Sequence, residues 1–173
     1  LGSTGTADIV QVLGSAAATL SVSSVESVQG TAATDTLSLM SLGTITVSSI
    51  EQVLGSTGND AVKLAANTAI SVSMVETVIG AAGADSVLFQ RTGTQTAALS
   101  VSNIETVIGG TIAGDVVQMI NGGGITLSNI ESLIGTTGTA DVVSVLGSGS
   151  LAVSAIETVI GNTGTDILTI IPV

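Results

Sequence analysis

"VSMVETVIGAAGAD" (residues 72–85) and "VSNIETVIGG" (residues 101–110) are two copies of one phrase. Each has a Ser, a Glu three positions later inside an apolar stretch, and glycines that lead on to an Asp. Extended over the chain, the phrase returns with Glu26, Glu51, Glu76, Glu105, Glu131 and Glu157, at intervals of 25, 25, 29, 26 and 26 in the numbering. Its aspartates are Asp8, Asp35, Asp60, Asp85, Asp115, Asp141 and Asp166, at intervals of 27, 25, 25, 30, 26 and 25. These are all 13 acids of the chain. An internal period of this length is the signature of a repeat architecture.

The apolar residues keep the same beat. Two residues after each Asp stand Val10, Leu37, Val62, Val87, Val117, Val143 and Leu168; four after stand Val12, Leu39, Leu64, Phe89, Met119, Val145 and Ile170. The residue between is polar except at Leu88. Apolar, polar, apolar is a strand with one buried face. Before each Glu, apolar residues recur at six, four and one positions upstream, as in Ile70, Val72 and Val75, with a Ser always three upstream. The last two columns lie three apart, which a straight strand cannot keep on one face, so a corner is expected at the Ser and its neighbour.

Each repeat therefore reads as three short strands separated by Gly-rich turns, and no stretch has helical periodicity. Such a unit cannot bury a core alone, but a stack of them can. The expected fold is all-β: a parallel β-solenoid, β-helix- or β-roll-like, of six to seven coils of about 25–30 residues with three short strands each, about 30 Å tall at ~4.8 Å per coil. Residues 1–173 form a single repeat array and read as a segment of a longer solenoid, with any targeting signal outside it. The longest connection, "FQRTGTQTAA" (89–98), is expected to bulge. If Ile104, Thr106 and Ile108 point inward, then Val28, Val53, Val78, Val107, Leu133 and Val159 form an outward apolar column.

Composition narrows the function. The net charge is −11, with Lys63 and Arg91 the only cations, both expected to be solvated. That argues against nucleic acid and anionic membrane surfaces. Mean hydropathy is high, +0.74, yet no apolar run approaches the roughly 18–20 residues of a spanning helix. There is no Cys, His, Tyr or Trp and one Phe. Catalytic groups normally interrupt a repeat, whereas every acid here obeys it, so no enzyme is expected.

If repeats stack directly, equivalent aspartates lie about 5 Å apart and repel by roughly 0.8 kcal/mol in water, or about 3 at an effective dielectric of 20. Ca²⁺, a hard ion that takes oxygen ligands, would neutralise such a column. Alternatively each Asp is a turn residue capping backbone N–H groups. The Glu column is either a second cation ladder or a solvated face.

"GSTGND" (55–60), "GAAGAD" (80–85) and "GNTGTD" (161–166) share the form Gly-x-x-Gly-x-Asp, followed by apolar Val62, Val87 and Leu168. They resemble the RTX family, the Gly- and Asp-rich calcium-binding repeats of secreted bacterial proteins. The resemblance implies secretion, a parallel β-roll and Ca²⁺ held in the turns. It makes Asp60, Asp85 and Asp166 the ligands and has Gly55, Gly58, Gly80, Gly83, Gly161 and Gly164 shape the loops. Asp8, Asp35, Asp115 and Asp141 hold the same column in less regular loops. The implied function is an extracellular structural segment of a surface-layer, filament or adhesin protein that self-associates end to end or laterally. The alternative is a calcium-dependent ice- or glycan-binding solenoid.

Overall fold

The structure is a computed structural model and describes residues 2–3, 7–91 and 98–173. The bulge expected in 89–98 lies mostly outside the described residues. The strands run β1 (Ile9–Gln11), β2 (Thr19–Val22), β3 (Ser27–Gln29), β4 (Thr36–Leu39), β5 (Gly43–Ser48), β6 (Gln52–Leu54), β7 (Asp60–Leu64), β8 (Ala69–Ser73), β9 (Thr77–Ile79) and β10 (Ser86–Phe89). They continue with β11 (Ala98–Ser102), β12 (Thr106–Gly109), β13 (Val116–Met119), β14 (Gly124–Ser128), β15 (Ser132–Ile134), β16 (Val142–Val145), β17 (Gly149–Ser154), β18 (Thr158–Ile160) and β19 (Asp166–Ile170). Odd-numbered strands form one sheet and even-numbered strands the other, all neighbours parallel. The chain is thus a parallel β-solenoid, as the alternation requires.

The coil differs from expectation. Every connection carries the chain from one sheet to the other, so a coil holds two strands, not three. Gly43 lies beside Asp60 and Ala61 beside Thr77, so one coil is only the length of chain between those partners. A full repeat is therefore one and a half coils. There are about nine turns rather than six or seven, about 43 Å of stack at ~4.8 Å each. Successive repeats start on opposite sheets. A strand that follows Asp never stacks on another of its kind: β7 lies between β5, which precedes a Ser corner, and β9, which follows a Glu.

The physical reason lies in the corners. The residue after each Ser is left-handed: Ser24, Ser49, Met74, Asn103, Asn129 and Ala155 have φ between 52° and 56°. One such residue reverses the chain within a few positions and drops it onto the opposite sheet.

The core is the expected aliphatic columns plus one that was placed wrongly. Val62, Val87, Val117, Ile70, Val72, Val75 and most of their equivalents are buried, while Val10, Leu20 and Ile156 are half-buried and Leu168 is exposed. Val28, Val53, Val78, Val107 and Leu133 are buried too, at 0–2% exposure, and Val159 packs against the core. These were expected to point outward. The left-handed corner and the Glu each shift the inward parity by one residue, so Ile104 and Val107 both point inward and Ile108 lies outside. Full burial of one such side chain contributes about 1.5–3 kcal/mol.

Candidate functional site

The most regular chemistry in the molecule sits where the chain crosses between sheets. Asp35, Asp85 and Asp141 lie along one edge; Asp8, Asp60, Asp115 and Asp166 lie along the other. On either edge, consecutive aspartates are three coils apart, about 14 Å. The expected 5 Å column does not form, because register places Gly43, not another Asp, beside Asp60. The repulsion calculated for directly stacked aspartates therefore does not arise.

Each carboxylate instead closes its own loop. Oδ2 of every Asp accepts the backbone N–H of the residue that follows the first loop glycine: Ser3 for Asp8, Thr31 for Asp35, Ser56 for Asp60, Ala81 for Asp85, Gly110 for Asp115, Thr136 for Asp141 and Asn162 for Asp166. The distances include 2.5 Å at Ser56, 2.7 Å at Ala81 and 3.1 Å at Gly110. On one edge Oδ1 also accepts an N–H from the coil beneath: Ala18 to Asp35 at 2.6 Å, Thr68 to Asp85 at 2.8 Å and Gly123 to Asp141 at 3.0 Å. Asp35, Asp60, Asp85, Asp115 and Asp141 are buried, at 0–1% exposure.

The glutamates complete the corner. Glu26, Glu51, Glu76, Glu105, Glu131 and Glu157 each accept, on Oε2, the backbone N–H of the Asp one coil below, at 2.7–2.8 Å. The backbone runs the reverse bond: the N–H of Glu51 donates to the carbonyl of Asp35 at 3.2 Å, and the same pair recurs in all six repeats. The glutamates remain solvated in part, with Glu26, Glu105 and Glu157 exposed and Glu51, Glu76 and Glu131 half-buried, but each also holds the backbone of the coil below. Sequence reasoning missed it, although a signal was present. Asp35 and Glu51, Asp60 and Glu76, Asp115 and Glu131, and Asp141 and Glu157 keep one identical separation, the length of a coil, while the repeat itself varies.

The glycines work by close approach. A Cβ on Gly80 would stand 1.9 Å from the carbonyl oxygen of left-handed Asn103 in the coil above, and 2.7 Å from Oδ2 of Asp85. The same clash with a left-handed residue's carbonyl recurs at Gly2, Gly30, Gly55, Gly109 and Gly135. Gly83, by contrast, needs its positive φ of 120°. Of the remaining loop glycines, Gly58 packs on Leu42, and Gly161 and Gly164 face Asp166 and Ser148.

Arg91 departs from the solvated role expected for it. Its side chain is 8% exposed and reaches Asp115, with Nη1 3.5 Å from Oδ1 and 2.9 Å from the carbonyl of Ala113. Burial raises the pKa of Asp115 above the ordinary 3.8; the charge of Glu131 adds to this, while the Gly110 N–H and Arg91 oppose it. Asp35 shifts the other way, lowered chiefly by the Thr31 N–H against the opposing effect of burial. Lys63 is exposed.

Calcium fits these corners poorly. A Ca²⁺ ion takes six to eight oxygens at about 2.3–2.6 Å. At Asp35, Asp85 and Asp141 both carboxylate oxygens face N–H groups, whose positive ends occupy the directions a cation would need; at Asp60 only Oδ2 does, and Oδ1 is buried without a hydrogen-bond partner. Among the described residues no group of three or more acidic, His or Cys side chains is placed to hold a metal. The arrangement is an internal anion site of the kind made by converging backbone amides. Fold and corners together define a repeat protein, a two-sheet parallel β-solenoid with carboxylate-latched turns. No known protein family matches the chain, and neither does any curated protein or solved structure.

Proposed function

We propose that the chain is a non-catalytic structural segment, a stiff spacer in an extracellular surface-layer, filament or adhesin protein. One observation carries this reading: all 13 acids lie at the two edges, where they close turns, which leaves both broad faces without an acid. A catalytic or ligand-binding solenoid would be expected to break its repeat at a site, and the break at Arg91 and Asp115 is a buried ion pair that closes a corner.

In this reading chains associate end to end. Lateral association no longer has its expected apolar column, since those valines are core. The test is twofold. Antibodies to the chain should label intact cells, and light scattering should show growth with concentration. Labelling only after lysis overturns the location; a strict monomer at high concentration overturns the assembly.

A second reading has one specific support. Ser86, Thr106, Thr126 and Ser144 stand in register across β10, β12, β14 and β16. They give a hydroxyl row at about 4.8 Å spacing on a flat face, which suits a crystalline surface such as ice or a polysaccharide. Absence of ice-recrystallisation inhibition and of binding to insoluble glycans would remove it.

A further inference from the structure

The resemblance that carries calcium and the geometry of the corners disagree. We infer that the aspartates are metal-free latches: backbone amides, not calcium, neutralise them, and the solenoid keeps its stability in chelator. This goes beyond the spacer reading and does not rest on it.

Three observations carry the inference. First, the amide contact is made at all seven aspartates, in the regular "GAAGAD" loop and in the irregular "GGTIAGD" (109–115) alike. An ion site would be expected to fail where the loop pattern fails. Second, the coil geometry keeps the aspartates of one edge three layers apart, about 14 Å. An ion bridging successive aspartates, each within about 2.6 Å of it, cannot span that distance. Third, the acid nearest each Asp is already engaged, because the Glu above it holds the Asp N–H at 2.7–2.8 Å.

Two corners differ and sharpen the test. Oδ1 of Asp115 lies against the guanidinium of Arg91, so a cation is already there. Oδ1 of Asp60 is buried without a hydrogen-bond partner. If any corner takes calcium, it is that of Asp60.

The experiment is thermal melting of the chain in millimolar calcium and in excess EDTA, for the wild type, Asp60→Asn and Asp85→Asn, with metal content by mass spectrometry. An occupied site at a hundredfold excess would raise the melting temperature by about 5–10 °C. The expected result is one melting temperature in both buffers, no bound calcium, and an Asp85→Asn variant that melts about 5–10 °C lower in both. That loss reflects an amide NH₂ set against two N–H donors. A calcium-dependent rise in the wild type that Asp60→Asn or Asp85→Asn abolishes overturns the inference. So does an Asp85→Asn variant that melts like the wild type. Neither outcome bears on whether the chain is a surface spacer.

Discussion

The corner at Asp35 surrounds its carboxylate with backbone amides; the corner at Asp115 relies on a side chain from another coil. Asp35 is gripped by the N–H of Thr31 and, at 2.6 Å, by that of Ala18. Asp115 has one longer amide contact, 3.1 Å from Gly110, and a guanidinium nitrogen at 3.5 Å. Both side chains are buried and both have a Glu close above. Yet the carboxyl of Asp35 is held below the ordinary aspartate range and that of Asp115 above it. At Asp115 burial and the charge of Glu131 outweigh the Gly110 N–H and Arg91, whereas at Asp35 the amide contacts outweigh burial. Loop length alone does not set the contact: "GGTIAGD" is one residue longer than the loop of Asp35, but so is "GTTGTAD" (135–141), where the Thr136 N–H lies 2.6 Å from Asp141.

The largest expected effect erases the comparison. Leu37 and Val117 follow the two aspartates by two positions and are both 0% exposed. Leu37→Asp or Val117→Asp buries an unpaired charge in a shared core and should cost several kcal/mol. Circular dichroism should show loss of β structure in both, whereas outward Ser144→Asp should melt within a few degrees of the wild type.

A smaller effect separates the loops sterically. A Cβ on Gly30 would sit 1.9 Å from the carbonyl oxygen of Ser49, whereas one on Gly110 would meet the carbonyl of Phe89 at 3.4 Å. Gly30→Ala should cost about 3 kcal/mol and Gly110→Ala less than about 0.5 kcal/mol in urea unfolding. Equal costs would mean that the coils do not stack with this register.

Next comes the ion pair. Arg91→Met leaves Asp115 buried without its cation and should cost about 1–2 kcal/mol, less than a tight buried pair because the contact is long. Adding Asp115→Asn should recover most of that loss. A double variant as unstable as the sum of the single ones would show that Arg91 acts through packing alone.

The smallest effect is in pH. Asp35 has a lowered folded-state pKa, so its contribution is present above 3.8 and lost as pH falls through the lowered value. Asp115 has a raised one, so its contribution is present below 3.8 and lost as pH rises through the raised value. Acidification from neutrality should therefore first relieve Asp115 and later release Asp35. Melting temperature against pH should show a shallow rise and then a fall, and Asp115→Asn should remove the rise alone.

The strands and most of the core were legible because alternation is a local property. Val62 and Leu64 declare their face by themselves, and the Ser column marked the corner that left-handed Met74 and its equivalents make. The coil was not legible from the same columns. Repeats of equal length invite stacking like on like, but three strands per repeat on two sheets force each strand onto a different kind. Parity failed at Val107 for a related reason: a second break sits at Glu105, where the chain enters the opposite sheet. The aspartates were found by their beat, but their chemistry was not. A Gly-x-x-Gly-x-Asp string does not say whether carbonyls or N–H groups converge on the carboxylate. The partner of Asp115 was hidden because Arg91 belongs to the preceding coil and has no counterpart in the other repeats.

One and a half coils per repeat also makes copy number count in twos. Duplicating a single unit would lift everything after it by one and a half layers and turn it half a revolution, so that what had faced one side would face the other. Duplicating a pair would lengthen the rod by three layers, about 14 Å, and leave its orientation unchanged. A lineage that gains or loses repeats singly would reverse the presentation of any module carried beyond them, while one that changes them in pairs alters reach alone.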